Sequence, residues 1–235
     1  MLALDHVIGN HLLKMLDGPD LERLRPSLKE VSLTPRHVLE TPGRPIANVY
    51  FVETGLLSVV AMSRRNRRIE VGMIGKEGMT GLATILHDDR SMNETVVQRA
   101  GTALRLSTVD LRSAMISSEA FRNCLLRFVH AFLAQAAQTS LANGCAKLEE
   151  RVARWILMSH DRFAGSDLRV THDLLAVVLG VRRPGITLVL QTLEGKRLIR
   201  STRGLISVTD REGLRRQANG SYGVSEAEYS RIFDG

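Results

Sequence analysis

The sequence contains few cysteines and no long apolar run. Both features restrict the class of protein that it can form. Cys124 and Cys145 are the only cysteines, too few for a disulfide framework or a thiolate metal cage. No apolar stretch approaches the roughly 20 residues that a membrane-spanning helix requires. The first residues also lack a basic segment ahead of an apolar block, so no secretory signal is expected. These absences predict a cytoplasmic globular protein with no membrane partner.

Motifs for metal binding and catalysis are missing as well. The 7 histidines form no pair at metal-ligand spacing with a cysteine or a carboxylate. The glycine-rich stretch GKEGMTGL lacks the Gly-Lys-Ser/Thr ending of a nucleotide-binding P-loop. No Ser/His/Asp or Cys/His set has local support. We therefore expect no metal site and no enzymatic activity.

Positive charge is abundant and is concentrated near the carboxyl end. The 235 residues carry a net charge of +7 with a pI near 10.0, which favours polyanionic partners. Between Arg182 and Arg216 there are nine Lys or Arg against three acidic residues. A chain of this length can form two modest domains. The local excess of positive charge indicates that the C-terminal domain binds the polyanionic partner.

Short strands dominate the first half of the chain. After a helical lead-in that carries Leu12, Leu13 and Leu16, short apolar segments separated by glycine and proline run from about Val31 to Leu106. This pattern predicts a small antiparallel β-barrel or jelly roll. The arginine-rich turn SRRNRR is interpreted as the solvated tip of a hairpin.

A long helix follows the strands. No proline occurs between Ser118 and Arg154, and the only glycine there is Gly144. Apolar residues at steps of four, three and four form a seam that needs a partner surface, and its members are Phe121, Leu125, Phe128 and Phe132. The seam alone leaves two alternatives open: packing on the protein's own barrel, or pairing with a second copy in a homodimer.

Two short helices with a glycine between them are predicted from Thr171 onward. Thr171 can cap the first helix, whose buried side is assigned to Leu174, Leu175, Val177 and Val178. Gly180 permits a sharp turn, and Pro184 is tolerated in the first turn of the second helix. The inward side of that helix is assigned to Ile186, Val189, Leu190 and Leu193, and its outward ridge to Arg183, Thr187 and Gln191.

This arrangement is typical of a helix-turn-helix, which sets the amino end of its second helix against base edges in a DNA major groove. Arg183 is the predicted base reader, and the segment KRLIRSTRGLISVTD reads as a winged hairpin. The predicted DNA-binding residues are Thr171, Arg182, Arg183, Thr187, Gln191, Lys196, Arg200 and Arg203. The alternative is a two-helix corner of an ordinary bundle with a solvated basic face.

The segments VTHDLLAVVLGVRRPGITLVLQTLEGKRLI and GRPIANVYFVETGLLSVV resemble the Crp/Fnr family of bacterial transcription regulators. The resemblance implies an α+β fold with an N-terminal jelly roll of cyclic-nucleotide-binding type, a long dimerisation helix and a C-terminal winged helix-turn-helix. The implied domains are a sensor barrel with its lead-in at 1–117, the dimerisation helix at 118–146, the DNA-binding domain at 147–220 and a tail at 221–235 with no evident structural role.

The resemblance also implies partners: near-palindromic double-stranded DNA, a second copy of the chain, and RNA polymerase as a further candidate. It assigns the seam residues Phe121, Leu125, Phe128 and Phe132 to the dimer interface. Pro184 and Leu188 stand where better-known members carry a glutamate and a second polar base reader, so a different half-site is expected.

The effector site implied by the resemblance is incomplete. Its residues would be Gly81, Leu82, Arg90, Ser91 and Thr139. Leu82 leaves no carboxylate for a ribose hydroxyl, and a second alignment puts Glu94 and Thr95 in place of the phosphate-binding pair, where a glutamate would repel phosphate. Cyclic nucleotide is therefore a disfavoured cofactor, and no other cofactor is predicted.

A second class of function stays open at this stage. The barrel could bind a ligand and regulate a partner protein, with the C-terminal unit serving as a protein-interaction module. Salt separates the two hypotheses, because DNA binding releases counterions and weakens steeply as ionic strength rises.

Overall fold

The structure is a computed structural model that describes residues 7–162 and 167–233. The chain forms two compact units. The first contains Met1–Val59 and Met73–Phe132, and the second contains Val60–Gly72 and Leu133–Gly235. Within the described ranges, no helix has the length and apolar character needed to span a membrane.

Two sheets build the jelly roll predicted for the first half. One is three-stranded and antiparallel, in the order Lys29–Leu33 (β1), Gly101–Ser107 (β7) and Asn48–Val52 (β3). The other is four-stranded, in the order Val38–Glu40 (β2), Glu94–Arg99 (β6), Leu56–Met62 (β4) and Arg68–Ile74 (β5). Alternate residues point to opposite faces of a strand, and the inward set, which includes Val49, Phe51 and Leu104, has no exposed surface.

Short helices lead into this unit and interrupt it. They are His11–Lys14 (α1), Gly18–Leu24 (α2), a 3-10 turn at Arg25–Ser27, Leu82–Ile85 (α3) and Thr108–Ser117 (α4). The buried Asn10 caps α1 by accepting from the Leu13 amide, and its Nδ2 donates to the carbonyls of Val52 at 2.9 Å and Gly78 at 2.8 Å. One side chain thus ties the lead-in to the strands.

The long helix α5 spans Glu119–Cys145, and its aromatic seam packs inside its own chain. Phe121, Leu125, Phe128 and Phe132 are all buried in a single copy. The ring centroids of Phe51 and Phe121 lie 6.4 Å apart. The assignment of these four residues to the dimer interface is therefore wrong: the barrel already covers them, so they offer no surface to a second copy.

The second unit is the winged helix-turn-helix that the sequence predicts. Its three-stranded sheet has the order β8, β10, β9. Its elements are Leu148–Asp161 (α6), Asp167–Arg169 (β8), His172–Val178 (α7), Arg183–Gly195 (α8), Ile199–Thr202 (β9), Leu205–Val208 (β10), Arg211–Gln217 (α9) and Val224–Phe233 (α10). The sequence LEERVARWILMSHDRF predicts an amphipathic helix over residues 148–163, and Phe163 lies outside the described residues.

The segment after residue 220 has a structural role that the sequence did not reveal. Most of it forms α10, and the residues ahead of that helix bind back to the unit. Arg154 Nε donates to the Ser221 carbonyl at 2.8 Å, and the Tyr222 hydroxyl donates to Asp161 at 2.7 Å while accepting from Arg211 at 2.8 Å. The last turn of α6 and the first turn of α9 are joined through these contacts.

Replacing Gly78 by alanine tests how the seam packs. A Cβ at this position would lie 2.5 Å from Cε2 and Cζ of Phe128, so the buried ring would have to move. Overpacking of this kind costs about 1–3 kcal/mol, and urea denaturation of Gly78→Ala should show a loss of that size. Gly18→Ala is the control, because a Cβ there meets nothing within 4 Å. Equal stability of the two variants would contradict the packing of Phe128 described here.

Candidate nucleic-acid interface

The turn between α7 and α8 is built from local signals in the sequence. The Thr171 hydroxyl caps α7 by accepting from the Leu174 amide at 3.2 Å. Gly180 has a φ of +64°, in the left-handed region that glycine adopts without strain. Pro184 is the second residue of α8, where no intrahelical donor is needed. These features let α8 start within a few residues of the end of α7.

The apolar side of α8 determines which side meets solvent. Ile186, Val189, Leu190 and Leu193 are buried, as predicted. On the opposite side, Arg183 and Gln191 are exposed. A helix places residues three and four apart on the same face, so burial of one stripe leaves the other available to a partner.

Three contacts bring the start of α7, the first half of α8 and the wing to one surface. Arg183 Nε lies 3.3 Å from Asp173 Oδ1, and the Thr187 hydroxyl is hydrogen-bonded to His172 Nδ1 at 3.0 Å. In the wing, the Gly204 carbonyl accepts from the Val170 amide at 3.1 Å. We call this region the recognition surface, and it comprises Thr171, His172, Arg182, Arg183, Thr187, Leu188, Gln191 and Arg203.

Some predicted residues are placed differently from the expectation. Thr187 is half-buried rather than fully outward, since its hydroxyl also donates to the Arg183 carbonyl at 3.3 Å. Arg200 is exposed on β9. Lys196 caps the far end of α8, roughly 20 Å from Arg183 at 1.5 Å per residue, and its Nζ binds Glu149 at 3.2 Å and Gln217 at 2.8 Å. Lys196 therefore lies outside the recognition surface.

Sequence reasoning missed one residue near this surface and misplaced another. The hydrogen bond between His172 and Thr187 could not be predicted from local sequence, because the two residues are 15 positions apart. Leu188, which the resemblance puts in place of a polar base reader, is 65% exposed on α8, an unusual exposure for a leucine. Val177, assigned to the buried side of α7, is instead 45% exposed, because the core contact of that helix uses Leu175, Ala176 and Val178.

The unit supports its turn with polar contacts. Trp155 Nε1 on α6 donates to Glu70 Oε1 at 3.0 Å, and both residues are buried. The Ile69 side chain packs beside Gly180. The Arg151 guanidinium donates to the Leu179 carbonyl at the end of α7, and burial lowers the pKa of that guanidinium below its usual range. The hairpin residues 69 and 70 and helix α6 thus fix the corner from which α8 departs.

Comparison with known proteins places this geometry in a family. Residues 150–217 match the family model of the Crp-like helix-turn-helix domain. A Crp/Fnr-family regulator from Eubacterium rectale has a TM-score of 0.70 at 17% identity, covering 89% of this chain and 98% of its own. FixK2 from Bradyrhizobium japonicum has a TM-score of 0.69 at 17% identity, covering 81% of this chain and 96% of its own.

A third structure, the regulator CLP from Xanthomonas campestris, has a TM-score of 0.67 at 17% identity and covers 82% of this chain and 99% of its own. That protein is a c-di-GMP-responsive global regulator. No curated protein sequence matches the chain. Residues 150–217 therefore form a Crp-like helix-turn-helix domain, and the chain has the fold of these Crp/Fnr-family structures. The fold predicted from the sequence is confirmed by this overall likeness, and the predicted helix-turn-helix is confirmed by the domain match.

The predicted effector residues are divided between the two units. Arg90 is exposed and pairs with Asp89 at 3.3 Å, and Leu82 is half-buried in α3. Thr139 belongs to the other unit, where its hydroxyl donates to the Gln135 carbonyl at 2.9 Å. Gly81 and Ser91 do come together, and the group that they share is the carboxylate of Glu40.

Proposed function

We propose that two copies of the chain bind near-palindromic double-stranded DNA, each inserting the first half of α8 into a major groove. The observation that carries this proposal is the exposure of Arg183, whose side chain is 64% accessible, at the first residue of α8. In this proposal residues 147–220 form the DNA-binding domain. Arg182, Arg200 and Arg203 would contact phosphates, which position a protein on the duplex without reading sequence.

Arg183 is free to exchange its partner. Its ion pair with Asp173 is solvent-exposed on both sides, and such pairs contribute only about 0–1 kcal/mol. A guanine offers O6 and N7 to the two-pronged guanidinium, the commonest specific contact in major grooves. Giving up Asp173 for a guanine therefore costs little, and we assign Arg183 the role of guanine reader.

The exposure of Leu188 supports a second base contact in each half-site. Its exposed side chain lies on the recognition surface about 1.4 helical turns beyond Arg183, where an apolar group makes no favourable contact with water. The C5 methyl of thymine is the apolar feature of the major groove. We therefore assign Leu188 to a thymine contact.

Replacement of Arg183 tests the proposal. Selection of bound sequences from a random DNA pool should give a palindromic site for the wild type, and Arg183→Ala should lose the preference at one position per half-site, at a cost of about 1–3 kcal/mol. Arg215→Ala on α9 is the control, since it removes an exposed arginine away from the recognition surface.

The same assay separates this function from a protein-interaction module. Affinity for the selected site should fall steeply as salt rises, because bound phosphates release counterions. An Arg183→Ala variant with unchanged sequence preference would contradict the guanine contact. A wild type that selects no sequence and binds DNA weakly at low salt would favour the interaction module.

Leu188→Ala is expected to change specificity without changing stability. Loss of the methyl contact should reduce the preference for thymine at one position per half-site, while the thermal midpoint stays at the wild-type value because the side chain is exposed. The selection experiment measures the first and a thermal melt the second. Retention of every base preference by this variant would remove Leu188 from the interface.

The homodimer is proposed to form through a different stripe of α5 from the one that the sequence suggested. Exposed residues recur at steps of four, three and four along the helix, on the side away from the aromatic seam, and they are Leu126, His130, Leu133 and Ala137. Leu126 is 41% and Leu133 60% exposed in the single chain. This spacing is that of a two-stranded coiled coil, so we propose residues 118–146 as the dimerisation helix with this stripe as its contact face.

Leu133→Asp should convert the dimer to monomers, because the contact would bury two unpaired carboxylates. Light scattering at micromolar concentration measures the outcome. Val109→Asp is the matched control: Val109 is also an apolar residue and is 75% exposed, but it lies on α4. Phe128→Asp is unsuitable, since a charge there would disrupt the packing of the barrel. A Leu133→Asp protein that remained dimeric would move the interface off this stripe.

A further inference from the structure

A buried carboxylate in the first unit is held by hydrogen-bond donors that converge from separate parts of the chain. Glu40 ends β2 and is only 7% exposed. Its Oε1 accepts from the Gly81 amide at 2.6 Å, and its Oε2 accepts from the Thr95 hydroxyl at 2.8 Å. The hydroxyls of Thr80 and Ser91 also hydrogen-bond to it. The four donors come from the loop before α3, the loop before β6, and β6 itself.

The orientation of these donors is fixed by the surrounding backbone. The Thr80 oxygen accepts from the Tyr50 amide at 3.1 Å, which leaves its own hydrogen for Glu40. The Ser91 hydroxyl has one hydrogen, for which Glu40 competes with the Asn93 carbonyl 2.8 Å away. Gly81 has a φ of +83°, and a Cβ there would lie 2.3 Å from Val49 Cγ1, so only glycine can present this amide.

Such a set of donors is suited to an anion. Burying an ionised carboxylate without partners is strongly unfavourable, and hydrogen bonds to a charged acceptor are stronger than neutral ones. Burial raises the pKa of Glu40, whereas the donors, Thr95 first among them, act in the opposite direction. Thr80 and Thr95 are each 1% exposed, so with Glu40 in place their hydroxyls do not face solvent.

We propose that Thr80, Gly81, Ser91 and Thr95 form an anion-binding cradle whose occupant is the protein's own Glu40 carboxylate. The cradle is thereby closed to external anions, and a small carboxylate such as formate or acetate would bind there once the Glu40 side chain is removed. Gly81 and Ser91 were expected to bind an effector, and in this proposal they bind the carboxylate of Glu40 instead. The inference concerns the first unit alone and does not rest on the proposed DNA contacts.

Chemical rescue of Glu40→Ala tests the cradle. The full-length variant should be destabilised, and sodium formate should raise its Tm in a saturable way, by roughly 5 °C at concentrations far above the Kd, relative to sodium chloride at the same ionic strength. The amide resonance of Gly81 should shift in Glu40→Ala and return towards its wild-type position when formate is added. Wild type should show neither response, because its cradle is full.

Two variants make the result specific. Glu40→Gln fills the same volume with a neutral amide, so it should fold and ignore formate. Glu22→Ala removes an exposed glutamate and should behave as wild type. A formate effect of equal size in wild type or in Glu22→Ala would reveal a general salt effect and overturn the proposal. The proposal would also be overturned if formate failed to stabilise a folded Glu40→Ala protein. The same holds if the variant is unfolded in chloride and formate fails to refold it.

Discussion

The burial of one face of α8 is the constraint on which the recognition surface depends. Ile186, Val189, Leu190 and Leu193 are nearly inaccessible to solvent, and fully burying each such side chain contributes about 1.5–3 kcal/mol. Because a helix is rigid over this length, that burial also fixes the direction of every outward residue. The position of Arg183 is thus a consequence of hydrophobic packing on the other side of the helix, and a shift of one residue in the packing phase would rotate it by about 100°.

Much of the second unit could be predicted because its signals are local. The capping threonine, the glycine at positive φ and the apolar period of α8 all act within a few residues of one another. The placement of Lys196 could not be predicted in the same way, because it depends on Glu149 and Gln217, which lie on other helices. Thr187 illustrates the same limit: helical phase places it outward, and a hydrogen bond from a residue 15 positions away draws it partly inward.

The long helix shows why the identity of a partner is harder to predict than the existence of a contact face. An aromatic seam at coiled-coil spacing requires a covering surface, but its own residues do not specify which one. The covering surface is the barrel, to which Phe51 and Gly78 contribute. The stripe left exposed contains leucine, histidine and alanine rather than phenylalanine. It is therefore less apolar than the aromatic seam and is harder to recognise as a contact face from the sequence. The more hydrophobic of the two stripes is the one that the protein uses internally.

The effector site was difficult to predict for the same reason. A family pattern identifies positions along the chain, but it does not identify the side-chain atoms that reach those positions. At position 82 a leucine stands where a carboxylate would be needed for a sugar hydroxyl, yet a carboxylate does enter the neighbourhood, from β2 and 41 positions earlier than the Gly81 amide that it binds. A tethered group has a very high effective concentration at its site, so a free anion must displace Glu40 before it can bind. Displacement would leave a carboxylate to be rehydrated or protonated, and the free anion would have to offset that cost with new contacts. A small molecule that regulates this protein through the barrel would therefore meet less opposition if it were uncharged, or if it bound away from Glu40.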